Sequence, residues 1–344
     1  MGEGGPGHSA AEGSLTGEGA PIAHGGDLDA ARRLFPDAPE PWIDLSTGIN
    51  PVPYPCPPPT ASAFARLPSA TDLAGLIRAA AEAYGADPAT IVAAPGTQML
   101  IETLPRLRSP SRVAVVGPTY AEHAAAWKRG GHVVAMVADL ASAGSADVVV
   151  VVNPNNPDGR VVAARGLLQM AATLGQRGGL LVVDEAFADL EPVDSLAADV
   201  APGILVLRSF GKTYGLAGLR LGFALAEPAL SRRIALALGP WAVAGPALAI
   251  GRAALVDQSW RDAARIARAA DAGRLDRMIV RGGGSVVGGT CLFRTADFAD
   301  GPALFRRLGQ AGIYVRRFEP MPERLRFGLP ADRTEWCRLS RILR

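Results

Sequence analysis

The sequence predicts an α/β fold, a mostly parallel sheet with helices on both faces followed by a smaller α+β unit. Three observations carry this. From Ile91 to Leu225 strand-like and helix-like segments alternate, the pattern that builds parallel sheets. The run 147–152 is apolar and β-branched after its first residue, as expected for a strand buried on both faces. Past residue 230 the alternation gives way to long helix candidates and a few short strands. At 344 residues the chain is long enough for a large domain over 61–240 and a smaller one over 241–344. The smaller one is expected to be completed by an N-terminal segment and arm over 21–60.

Residues 1–20 are rich in Gly, Ser and Glu, with neither a basic n-region nor an apolar h-region. They read as a disordered tail rather than a secretory signal. A helix is expected near 28–35. The Pro-rich passage 51–59 cannot form regular structure and reads as a connecting arm. Leu73, Leu76, Ile77, Ala80 and Tyr84 have helical spacing, with Thr71 as N-cap and Gly85 as stop. A strand over 91–94 runs into Pro95-Gly96-Thr97-Gln98, which opens a helix whose free N–H groups and Thr97 hydroxyl suit a phosphate. Strands are then expected over 112–116, 132–137, 147–152, 180–183, 204–208 and 219–225, with helices over 120–129 and 161–174. Beyond these come helices over 247–256, 260–278 and 302–310. Strands follow over 290–294, 313–317 and 324–327, and a last helix starts near Asp332. The charge-free run 234–251 is broken by two Gly-Pro pairs, so it reads as a buried loop plus helix rather than a membrane span.

The net charge of +2 and the scattered arginines give no footprint for nucleic acid. Three distant cysteines, Cys56, Cys291 and Cys337, indicate neither a disulfide framework nor a metal site, and fit a reducing cytoplasm. Among 35 basic residues only Lys128 and Lys212 are lysine. Lys212 lies in the Gly-rich stretch 207–220. Lysine can lose its proton and condense with an aldehyde, which guanidinium cannot do.

Asn156, Asp184, Ser209 and Lys212 all follow the carboxyl ends of predicted strands, where ligands of such sheets sit. This set fits pyridoxal phosphate. Lys212 provides the amine, and Asp184 a carboxylate that keeps the ring nitrogen protonated. Asn156 provides a donor to the ring hydroxyl. Gly96, Thr97, Gln98, Ser209 and Arg220 can hold the phosphate, and Tyr120 can stack on the ring. Gly211-Lys212-Thr213 also suggests a nucleotide P-loop, but Val206 stands where that motif needs glycine.

Asn156-Pro157-Asp158-Gly159, Asp184-Glu185-Ala186-Phe187, Ser209-Phe210-Gly211-Lys212 and Gly218-Leu219-Arg220-Leu221-Gly222 together resemble the fold-type I pyridoxal-phosphate enzymes, chiefly the histidinol-phosphate aminotransferase branch. Within it, His24-Gly25-Gly26 and the stretch 44–51 resemble the threonine-phosphate decarboxylases of cobalamin biosynthesis. The resemblance covers the chain from about His24 onward. It implies a seven-stranded large-domain sheet, a homodimer with sites near its interface, pyridoxal 5'-phosphate as cofactor and a small phosphorylated amino acid as substrate. It also implies a lyase, with Lys212 and Asp184 catalytic. Arg326 would grip the substrate carboxylate, His24 the substrate phosphate, and Asn156 would adjoin both substrate and cofactor. Two positions depart from the aminotransferase pattern. Phe187 stands where a Tyr donates to the ring hydroxyl, and Leu67 where a Tyr reaches the partner's cofactor phosphate. These departures favour decarboxylation over the alternative, an aminotransferase of the histidinol-phosphate type.

Overall fold

The computed structural model describes Ile22 and residues 24–344, and the tail expected over 1–20 lies outside the described residues. Among these residues the strands are β1 (Ile43–Leu45), β2 (Ile91–Ala94), β3 (Arg112–Val116), β4 (Val133–Val137), β5 (Val148–Val152) and β6 (Leu180–Asp184), then β7 (Ile204–Ser209), β8 (Gly222–Ala226), β9 (Ser285–Thr290), β10 (Phe293–Asp297), β11 (Ile313–Phe318) and β12 (Met321–Gly328). Seven form one sheet in the order β2-β8-β7-β6-β5-β3-β4. All its neighbours are parallel except β8, which is antiparallel to both β2 and β7.

The apolar runs divide between two cores by simple alternation, since successive strand side chains point to opposite faces. Val149, Val151, Leu181, Val183, Ile204 and Val206 enter one core. Val148, Val150, Leu180, Val182, Leu205 and Leu207 enter the other. Helices cover both faces, so a polar side chain inside these strands needs buried partners of its own, as Arg208 of β7 has.

The second sheet runs β1-β11-β12-β10-β9. The N-terminal β1 lies parallel to β11, and the remaining pairs are antiparallel. Its own core gathers Ile43, Leu275, Ile279, Phe305, Leu308, Phe327 and Trp336. Residues 51–59 carry no regular structure, as their prolines dictate. The run 234–251 closes one helix, Pro228–Leu238, and opens another, Gly245–Val256, across a loop. Among the described residues no helix is long and apolar enough to cross a membrane.

Three local expectations are corrected. The N-cap of the helix Ala70–Tyr84 is Ser69, not Thr71: Ser69 Oγ accepts from the Asp72 N–H at 3.0 Å and donates to the Asp72 carboxylate at 2.6 Å. The strand expected over 219–225 begins only at Gly222, because residues 217–219 form a 3-10 turn and Arg220 takes a left-handed φ of 52°. The strand expected over 290–294 is interrupted at Cys291-Leu292, which turn the chain from β9 into β10. β9 escaped the sequence reading because Gly288 and Gly289 carry no strand propensity.

Beneath the sheet's carboxyl edge lies a buried ion cluster. Arg208 donates to Glu185 at 2.6 Å and also to Asp189. Its guanidinium stacks 4.6 Å above the Tyr84 ring. Burial works against the Arg208 charge, and the Asp189 and Glu185 carboxylates reverse that and raise its proton affinity. Ser195 donates to Glu185, and Thr213 donates to Asp189 at 2.7 Å. The cluster thus ties the loop after β6 to the turn after β7. Removing one partner of a buried pair strands the others without compensation. Arg208→Met is therefore expected to cost about 3–5 kcal/mol of unfolding free energy, read by urea denaturation. A cost below about 1 kcal/mol would show that the cluster contributes little.

Candidate active site

The carboxyl ends of β5, β6 and β7 share one edge because those strands are parallel. Being antiparallel, β8 brings its first residue to the same edge, where Gly222 pairs with both Ala94 and Ser209. The loops after β2, β5, β6 and β7 and the turn before β8 therefore converge. Gly222 lets them meet closely: a Cβ there would lie 2.7 Å from the Thr97 backbone nitrogen.

A cavity of about 320 Å³ opens at this edge. It is lined by His24, Gly96, Thr97, Gln98, Tyr120, Asn156, Asp184, Phe187, Ser209, Lys212, Arg220 and Arg326 of the positions singled out above, whereas Leu67 lies elsewhere. Ser46, Thr47, Gly48 and Ile49 of the N-terminal stretch line it too.

Lys212 is held by its backbone. The Asn50 N–H donates to the Lys212 carbonyl and the Asn50 side chain to the Thr213 carbonyl, both at 2.9 Å. Burial lowers the proton affinity of its amine. The Asp184 carboxylate opposes this, and the Arg326 and Arg220 charges add to it. Burial alone would raise the Asp184 carboxyl. A 2.8 Å hydrogen bond from His123, the His123 and Lys212 charges and the Ala186 N–H together hold it below its ordinary value. His123 is 1% exposed and faces Asp184 from the helix Ala121–Arg129.

Asn156 is presented by a loop that its neighbours fix. Asn153 bonds Val162 in both directions, and Asn155 bonds Thr119, Pro118 and Asp158. Only Asn156 turns to the cavity, where its carbonyl oxygen accepts from Arg326. Arg326 also donates to the Ser46 carbonyl at 2.7 Å, while its Nε is buried with no hydrogen-bond partner. Burial, aided by the Arg316 charge and opposed by Asp44, lowers the Arg326 guanidinium to about 10. A guanidinium that lines an open cavity with neutral oxygens as its partners calls for an anion such as a carboxylate.

At the opposite side Gly96 takes φ 85°, and a Cβ there would lie 2.7 Å from an Arg220 nitrogen. The Thr97 and Ser209 hydroxyls and the Arg220 guanidinium share this side with the first N–H groups of the helix Thr97–Thr103. Together they form a cradle for a dianion. Tyr120 donates to Gln98 at 3.1 Å, and burial pushes its hydroxyl up to about 12, so it stays neutral. His24 sits at the mouth, 2.9 Å from Glu122, which also meets Arg129.

Pyridoxal phosphate fits these residues. Its phosphate matches the cradle, its aldehyde the lowered amine of Lys212, and its ring nitrogen the ionised Asp184. The sequence reading missed His123, Glu122 and Arg316. Arg316 stands opposite Arg326 across the β11–β12 ladder. Its signal was available in the alternation of β11, where Ile313 and Val315 are buried and Tyr314 and Arg316 point the other way.

A family model described as Aminotransferase class I and II matches residues 60–337. The chain is 44% identical to a threonine-phosphate decarboxylase of Pseudomonas aeruginosa, over 94% of this chain and 97% of that one. It is 43% identical to one of Sinorhizobium sp., over 94% and 98%. Among solved structures, histidinol-phosphate aminotransferase from Sinorhizobium meliloti, in complex with pyridoxal-5'-phosphate, superposes with a TM-score of 0.79 at 22% identity, covering 92% of this chain and 93% of that one. L-threonine-O-3-phosphate decarboxylase from Porphyromonas gingivalis gives 0.71 at 18%, covering 82% and 94%.

The lowered Lys212 amine has a labelling consequence that needs no cofactor. Peptide mass spectrometry can follow Lys212 during carbamylation by cyanate. Its rate is expected to level off with rising pH below the ordinary lysine range of about 10.4. A rate still climbing through that range would contradict the shift.

Proposed function

The chain belongs to the class I and II aminotransferase family, and from that premise we propose that it is a pyridoxal-phosphate-dependent lyase acting on L-threonine O-3-phosphate. The products are CO2 and (R)-1-amino-2-propanol phosphate. The observation that carries the reading is one cavity lined both by an amine of lowered proton affinity, Lys212, and by a guanidinium held only by neutral oxygens, Arg326. Near-full-length likeness to two threonine-phosphate decarboxylases selects the reaction.

When bound, pyridoxal phosphate supplies a sink for the electron pair left as CO2 departs. Lys212 would hold it through its amine. Asp184, kept ionised by His123, would keep a proton on the ring nitrogen. Gly96, Thr97, Gln98, Ser209 and Arg220 would hold its phosphate. Tyr120 would cover the ring, and Asn156 would donate to the ring oxygen. Phe187 cannot add a second donor there.

Arg326 grips the substrate carboxylate. His24, braced by Glu122, faces the substrate phosphate. Holding both ends of the substrate sets which bond at the α-carbon breaks. The carbon–carboxylate bond breaks, CO2 leaves, and one proton, returned by the freed Lys212 amine, takes its place on the same carbon. Nothing is oxidised or reduced overall, so no keto acid is consumed.

We further propose a place in cobalamin biosynthesis in the cytoplasm, the domain division 61–240 and 241–344 with 21–60, and a homodimer. The homodimer is supported by exposed Phe64, Leu67, Leu73 and Trp241, at 69%, 67%, 42% and 59% of full exposure. Leu73 and Trp241 line a second apolar cavity of about 320 Å³.

Purified protein with pyridoxal phosphate and no keto acid is expected to release CO2 from L-threonine O-3-phosphate, and Lys212→Ala to abolish the release. Absent CO2, with 2-oxoglutarate-dependent turnover of L-histidinol phosphate instead, would replace this reading with an aminotransferase. Glu122→Gln is expected to raise KM for the phosphorylated substrate about three- to tenfold with kcat little changed, as loss of one bracing ionic hydrogen bond implies. An unchanged KM would remove the Glu122–His24 pair from substrate binding.

A further inference from the structure

Two basic side chains of the cavity rest on one pair of phenylalanine rings. Lys212 Nζ stands 5.0 Å from the centre of the Phe187 ring. Arg326 Cζ stands 5.1 Å from the centre of the Phe293 ring. The two rings meet edge to face, with centres 5.0 Å apart and planes at 76°. Phe187 comes from the loop after β6, and Phe293 opens β10 in the second sheet. The pair therefore bridges the two sheets at the cavity wall. It belongs to a small apolar cluster with Ala186, Leu190 and Leu292, separate from the three larger cores. Phe293 has no exposed surface and Phe187 only 4%.

Gly48 is part of the arrangement. A Cβ at that position would come within 2.8 Å of Phe187 Cε1 and 2.9 Å of Phe293 Cδ1. Position 48 lies in the N-terminal stretch, just after Ser46, whose carbonyl accepts from Arg326. Any side chain there would push at both rings at once.

The physics of each contact is separate. A ring face attracts a cation, more strongly where water is excluded. An edge-to-face pair fixes the tilt of each ring relative to the other. The Arg326 hydrogen bonds to Asn156 and Ser46 fix two of its nitrogens, while Nε has no partner. The Phe293 face fixes the plane of the guanidinium that lies over it. A carboxylate read by a planar fork depends on that plane.

We infer that Phe293 is a positioning residue for carboxylate recognition: it sets the plane of Arg326, and its edge-to-face contact with Phe187 keeps that plane in register with the Lys212 amine. Gly48 is the opening that admits the pair. This rests on the decarboxylase reading above, because the ligand it concerns is the carboxylate that is lost.

The test uses two ligands that share amine and phosphate and differ by one carboxylate: L-threonine O-3-phosphate and its product, 1-amino-2-propanol phosphate. In the cofactor-loaded protein, Phe293→Leu is expected to raise KM for the substrate about tenfold, the size of one desolvated cation–ring contact. The inhibition constant of the carboxylate-free product should stay within about twofold of wild type. Gly48→Ala keeps both rings but displaces them, and should show the same selective loss; it decides the matter if Phe293→Leu does not fold, as judged by its thermal midpoint. Equal weakening of both ligands, or weakening of neither, overturns the inference. Absence of CO2 release by the wild-type protein would instead sink the decarboxylase reading. In that case L-glutamate and the carboxylate-free L-histidinol phosphate make the same comparison on the same variants.

Discussion

A sheet buried on both faces has no place for an unpartnered charge until its strands end. That constraint organises this protein. Along β5, β6 and β7 the positions before Asp184 and Ser209, the last residues of β6 and β7, are apolar except Arg208, whose charge is enclosed by Glu185 and Asp189. The polar groups are thereby forced to one edge. They gather there because the three strands run in parallel and in register. The antiparallel β8 adds the turn that carries Arg220.

Gathering charges at a dry edge costs desolvation, and the structure offsets it in two ways. Beneath the cavity, Arg208 is enclosed by Glu185 and Asp189, and Ser195 and Thr213 complete their hydrogen bonding. Inside the cavity the compensation is left incomplete. Lys212 has a carboxylate neighbour in Asp184 but two arginines working against its charge. Arg326 keeps one N–H without a partner. The first cluster is closed and holds the frame. The second is open on the side where a cofactor and a substrate bring the missing anions. The two are joined by one residue step, since Thr213 donates to Asp189 and Lys212 precedes it.

Much of the site was legible because its residues follow strand ends in chain order. Lys212 stood out as one of only two lysines, and Asp184, Asn156 and Ser209 each terminate an apolar run or open the loop after one. His123 was not legible. It lies in the first turn of its helix between Glu122 and Ala124, and nothing in the spacing says that its ring reaches a carboxylate 61 residues later. Arg316 was visible only as half of an Arg-Arg pair. Its relation to Arg326 is a cross-strand one that depends on the register of β11 with β12. Phe293 looked like an ordinary strand residue. Its part follows from a ring that arrives from the other sheet.

The sequence by itself determined most of the elements, the buried strands and the lysine that the cavity would hold. These rest on local periodicity and on chemical type, which a chain carries without being folded. Only the tertiary structure decided which charges face one another. It paired Asp184 with His123, set Arg326 beside Asn156 with a free N–H, and put Lys212 and Arg326 on two rings in contact. The physical reason is distance. Electrostatic and ring contacts act over a few ångströms between residues separated by tens to hundreds of positions, and only the register of two sheets fixes which of them meet.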